Sequence, residues 1–129
     1  MKTEKQQLSV QQKTLGRRVV SDPVLFATAI LGVQFWEGQT EILRSIRSCR
    51  RTAIKSCHGV GKTYALAVGA LWWLARYPDG IVLTTSSTLR QVKTQLWSEI
   101  HRLIAQARVQ YPGRKSTELR LRLCGATET

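Results

Sequence analysis

Acidic residues are scarce in this chain: 8 Asp and Glu stand against 20 Lys and Arg, a formal net charge of +12 over 129 residues. That balance favours a polyanionic partner, nucleic acid first and an anionic membrane surface second. Cysteine is scarce too. Cys49, Cys57 and Cys124 form no C-x-x-C pair and no even set, which argues against a disulfide framework and for a reducing, cytoplasmic setting. The longest apolar run goes from Tyr64 to Ala75 and stops at Arg76, short of the roughly 20 residues that cross a bilayer. No apolar segment near Met1 marks a signal peptide, and no internal repeat is visible. The expectation is a soluble protein of about one small domain, with no membrane partner.

What the chain does have is one stretch around which the rest is arranged, Lys55 to Thr63, reading Lys-Ser-Cys-His-Gly-Val-Gly-Lys-Thr. Its last five residues, Gly59 to Thr63, have the ending of a phosphate-binding loop of the form G-x-x-x-x-G-K-[ST]. Glycines let backbone N–H groups approach phosphate oxygens and take positive φ without a Cβ clash. The helix that follows adds its unpaired N–H groups and the positive end of its dipole. Lys62 is expected to reach the β- and γ-phosphates of ATP, and the Thr63 hydroxyl to bind Mg²⁺. Ser56 stands where the pattern has its first glycine, and is small enough to enter a tight turn. The plainer alternative is a Gly-rich turn that caps a helix, with Lys62 in solvent.

Residues 1–20, rich in Lys, Gln and Arg, read as a mobile basic arm, and 21–129 as the folded part. Asp22 and Pro23 signal the start of a short apolar helix through about Leu31, broken near Gly32. Ile42, Leu43 and Ile46 recur at helical spacing and predict a helix from about Glu37 to Ser48. Arg44, Arg47, Arg50 and Arg51 either complement the end of that helix or contact phosphates. Thr52 to Lys55 reads as a short buried strand entering the loop, and Lys62 to Tyr77 as an apolar helix with Trp72 and Trp73 as packing residues. Pro78-Asp79-Gly80 is a turn, and Ile81 to Thr85 is the clearest strand. A right-handed crossover would set the two strands parallel. Ser87 or Thr88 caps a long helix, Leu89 to Val109, with Val92, Leu96, Ile100, Leu103 and Ile104 inward. After Tyr111-Pro112-Gly113, Thr117 to Leu123 alternates as a half-buried strand.

Several of these stretches together resemble the ATPase domain of the phage terminase large subunit, the motor that drives viral DNA into an empty capsid. They are Trp36 with Gln39, the loop, Trp72, Thr84 to Val92 and Leu96 to Ile100, within about Phe35 to Ala107. The resemblance implies an α/β fold of the P-loop NTPase type, three α/β/α layers around a parallel sheet. It implies ATP and Mg²⁺ as cofactors, held by Ser56, Cys57, Gly59, Val60, Gly61, Lys62 and Thr63. Gln39 falls where the family holds the adenine, a task an amide can perform because it both donates and accepts. His58 stands where the family often has a basic residue that senses the γ-phosphate, and joins Lys62 as a catalytic candidate. Thr85, Ser87 and Arg90 are implied to couple nucleotide state to DNA-facing parts. The implied partners are double-stranded DNA, a portal protein and the terminase small subunit, in an oligomer, within the host-cell cytoplasm if the gene is phage-borne.

ATP hydrolysis in this class needs an apolar strand ending in an Asp for Mg²⁺, with an adjoining Glu to activate water. No such pair follows Ile81, where Glu99, Glu118 and Glu128 stand alone, and no acidic nuclease cluster follows either. The expectation is the N-terminal, apparently truncated part of an ATPase domain, binding nucleotide with negligible hydrolysis. Two other functions stay open: another P-loop nucleic-acid ATPase such as a helicase, and a non-enzymatic basic module that binds nucleic acid.

Overall fold

The computed structural model describes residues 7, 16–77, 80–108, 115–117 and 120–122, the last two stretches for their backbone only. Helix α1, residues 16–21, includes the end of the predicted basic arm. It is anchored, because the Val20 carbonyl accepts a hydrogen bond from the Trp72 indole at 2.8 Å. The rest of that arm, Gln7 apart, lies outside the described residues. Helix α2, Pro23–Phe26, starts as its Asp-Pro pair predicts. Asp22 Oδ1 accepts from the Val24 N–H at 2.9 Å, and Pro23 occupies the first turn, where no N–H is needed. The chain runs on through a π-helical turn, Ala27–Leu31, and leaves the helix at Gly32.

Helix α3, Glu37–Ser48, has the predicted bounds and buries Gln39 and Leu43. Helix α4, Lys62–Arg76, buries Ala65, Ala67, Val68, Gly69, Leu71 and Trp72, and leaves Trp73 at the surface. The two helices meet closely at Gly69, where a Cβ would stand 3.2 Å from Ile46 Cδ1. Helix α5 spans 89–106, α-helical at Leu89–Gln91, π-helical at Val92–Trp97 and α-helical again at Ser98–Gln106. Thr88 caps it, its Oγ1 accepting from the Gln91 N–H at 3.2 Å. Ile100, Leu103 and Ile104 are buried as predicted, with Val92 and Leu96 half-buried.

Phe26 and Leu31 from α2 and the turn after it, Leu43 from α3, Val68 and Leu71 from α4 and Leu103 from α5 make one core. Each large apolar side chain taken out of water contributes about 1.5–3 kcal/mol. The core therefore fixes α4 between the other helices and sets the direction of its first turn.

The expected parallel sheet is not there. Residues 52–57 and 81–86 run without a ladder among the described residues. The strands described are β1, Lys115–Thr117, and β2, Arg120–Arg122, paired antiparallel. The three-layer α/β/α fold of the P-loop NTPase type is thus corrected to a helical one. The physical reason is that β-branched and alternating residues report a tendency to run extended, whereas a strand exists only when a neighbour takes its N–H and C=O groups. Ile81 and Leu83 are 79% and 91% exposed, the reverse of a buried central strand. β2 falls inside the predicted strand at 117–123. The turns at Pro78-Asp79 and Tyr111-Pro112-Gly113, and the predicted last helical residue Val109, lie outside the described residues. No described helix is long and apolar enough to cross a membrane.

Candidate phosphate-binding site

Between the extended residues 52–57 and α4 the chain turns sharply over 58–61, and two glycines make the turn possible. Gly59 has φ +80° and Gly61 φ +79°, a left-handed conformation that costs other residues roughly 1–2 kcal/mol. Gly61 then precedes α4, so the first N–H groups of that helix have no helical acceptor. Among the described residues, the N–H groups of Gly61, Lys62 and Thr63 donate to no protein carbonyl or side chain, and the Thr63 hydroxyl has no protein partner.

These groups border an open pocket of about 420 Å³. One wall is the loop and helix start, 58–64, and the other is α5, through Thr94, Gln95 and Glu99. Thr94 and Gln95 belong to the π-helical turn of α5, a local widening that often marks functional positions. Lys62 folds back across the loop, its Nζ donating to the Ser56 carbonyl at 2.8 Å and the Cys57 carbonyl at 3.1 Å.

Helix α3 braces the loop from behind. Gln39 is only 7% exposed, and its Nε2 donates to the Gly61 carbonyl at 3.1 Å. Trp36 lays its ring over Gly38 and donates from Nε1 to the Val60 carbonyl at 3.2 Å. Both carbonyls are thereby engaged by side chains at the start of α3 rather than by the loop's own amides.

The structure brings His58, Gly59, Val60, Gly61, Lys62 and Thr63 to one pocket wall. Gln39 lies behind that wall with its donor engaged on the loop. Ser56 lines a different pocket, together with Trp36, Glu41 and Ser45, and the Cys57 thiol is free and exposed. Of the residues implied in coupling, Thr85 lines a third pocket beside Trp97, Ser87 donates to Gln91 Oε1, and Arg90 is exposed. None of the three borders the loop pocket. Helix α5 nonetheless reaches both places, since Trp97 Nε1 donates to Thr84 Oγ1 at 3.3 Å.

Tyr64, Thr94, Gln95 and Glu99 line the pocket without having been singled out as site residues from the sequence, and an isolated Glu carries no motif. The place of Glu99 on the face of Gln95, four residues earlier in a helix, was the available signal. The donors fit Mg²⁺ with a polyphosphate, since a hydroxyl and a carboxylate are the hard oxygen ligands this ion takes beside phosphates. Among the described residues no group of three or more His, Cys, Asp or Glu could hold a metal by itself.

No family model, curated protein or solved structure matches the chain.

Proposed function

We propose that residues 58–63 bind the phosphates of ATP as its Mg²⁺ complex, and that the chain is the ATP-binding part of a viral DNA-packaging motor of the terminase large-subunit type. The observation that carries the first half is the set of unspent donors around one pocket: the amides of Gly61, Lys62 and Thr63, and the Thr63 hydroxyl. A triphosphate offers charged acceptors, and hydrogen bonds to charged groups are roughly twice as strong as neutral ones. Its oxygens therefore compete well for Lys62 Nζ against the neutral carbonyls of Ser56 and Cys57.

The second half rests on the resemblance and on how its residues converge. Trp36 and Gln39 hold the loop, and Glu99, from the Leu96 to Ile100 stretch, lines the same pocket as the loop. The net charge of +12 supports duplex DNA as the polyanion on which such a motor acts. Thermal melting with added ATP and Mg²⁺ tests the nucleotide half. Ligand at about 100 times its Kd stabilises the folded state by about 2.7 kcal/mol, so the melting temperature should rise progressively with ligand. A melting curve that ATP does not shift contradicts the reading.

A second reading is favoured by the exposed Arg44, Arg50 and Arg51 near the end of α3: a basic module that binds nucleic acid without nucleotide. It gives salt-dependent DNA binding that ATP leaves unchanged. A change in DNA affinity on adding ATP would rule it out.

A further inference from the structure

We infer that Glu99 is a carboxylate ligand for the divalent cation bound with a polyphosphate in the loop pocket, acting with the Thr63 hydroxyl. The inference rests on the nucleotide reading above and adds to it the acid that the motif does not contain.

Glu99 is the acidic residue in the pocket wall, opposite Lys62 and Thr63. Its carboxylate is poorly satisfied. Oε2 is sealed from solvent and accepts no hydrogen bond among the described residues. The ion pair with Arg102, one helical turn along α5, reaches this same oxygen at 3.5 Å without forming a hydrogen bond. That guanidinium also lies over the Tyr64 ring, 5.7 Å from the centroid. An ionised carboxylate has about four acceptor positions, and buried acceptors left without donors are uncommon because desolvation is not repaid. A hard divalent cation in the pocket, met by a turn of the carboxylate away from Arg102, supplies what is missing.

Charge gives this role a distinctive sign. A carboxylate facing a bare triphosphate repels it, whereas one facing a Mg²⁺–triphosphate attracts the metal. Glu99 therefore opposes ATP when Mg²⁺ is absent and favours it when Mg²⁺ is present. A residue that served only to pair Arg102 and steady α5 would affect both conditions alike.

The test is ATP affinity of the full chain by calorimetry, in EDTA and in excess Mg²⁺, for the wild type, Glu99→Gln and Arg102→Gln. In Mg²⁺, Glu99→Gln should weaken ATP by on the order of tenfold or more, the usual cost of disturbing a metal's surroundings. In EDTA the same variant should bind ATP as well as the wild type or better, which also reports that it is folded. Arg102→Gln should keep the Mg²⁺ enhancement. Parallel changes in both conditions, or an undiminished Mg²⁺ enhancement in Glu99→Gln, would overturn the role of Glu99 while leaving the loop reading intact. Absence of ATP binding to the wild type in either condition would overturn both.

Discussion

The side-chain amide of Gln39, buried in helix α3, donates to the main-chain carbonyl of Gly61 at 3.1 Å. The bond ties the glycine at the foot of α4 to a second helix, and so links the core to the shape of the loop. It uses one of the two N–H groups of the amide. Gln39→Ala should lower stability by about 1–2 kcal/mol, the net value of one hydrogen bond together with some packing. ATP and GTP affinities should fall by the same factor, because the loop is common to both. A loss confined to ATP would assign Gln39 to the adenine instead. Urea unfolding and paired titrations separate the two.

The two loop glycines should differ in cost. Both have positive φ, but an added Cβ at Gly59 meets open space, whereas one at Gly61 would collide with the Gln39 amide. Gly59→Ala should cost roughly 1–2 kcal/mol for the left-handed backbone alone. Gly61→Ala should cost more, and should also weaken ATP by displacing Gln39. Denaturant midpoints on the two variants check the order.

The absence of a buried strand at 81–85 has a direct consequence. Leu83→Ser should change stability by no more than about 0.5 kcal/mol, as at an ordinary surface position. Leu103→Ala, in the core, should cost about 2–5 kcal/mol. Were residues 81–85 a central strand, the Leu83 variant would be as damaging as the Leu103 variant in the same unfolding experiment.

Helix α3 is legible in the sequence from Ile42, Leu43 and Ile46, and the start of α2 from Asp22 and Pro23, because both signals are local: spacing on one face, and a side chain bonding its own backbone. The loop is legible for the same reason. Residues 52–55 and 81–85 mislead as strands because pairing depends on a distant partner, and no residue of an extended run reports whether that partner exists. Glu99 escapes sequence reasoning because only the packing of α4 and α5 brings it to the same pocket as Thr63. The π-helical turn of α5 leaves no trace in the sequence either, since Val92, Leu96 and Ile100 recur at i, i+4 and i+8 as on any α-helical face.

The arginines at the end of α3 divide into one with a partner and others facing outward. Arg47 approaches Asp22 at 3.7 Å, a half-exposed pair of small worth, while Arg50 and Arg51 are exposed. If those two touch duplex DNA, Arg50→Ala with Arg51→Ala should weaken binding. It should also reduce the slope of log affinity against log salt by about 0.9 for each phosphate no longer neutralised. An unchanged slope would place the DNA surface elsewhere.

The central claim is that the loop binds a triphosphate through its free amides and Lys62, and calorimetric titration of Mg²⁺–ATP into the wild type and Lys62→Ala tests it most directly. Removing a charge-assisted bond costs about 1.5–3 kcal/mol, so the variant should bind on the order of tenfold to a hundredfold more weakly. Its melting temperature should barely move, since among the described residues Lys62 Nζ bonds two exposed loop carbonyls. Equal affinity in the two proteins, or no binding in either, would contradict the account.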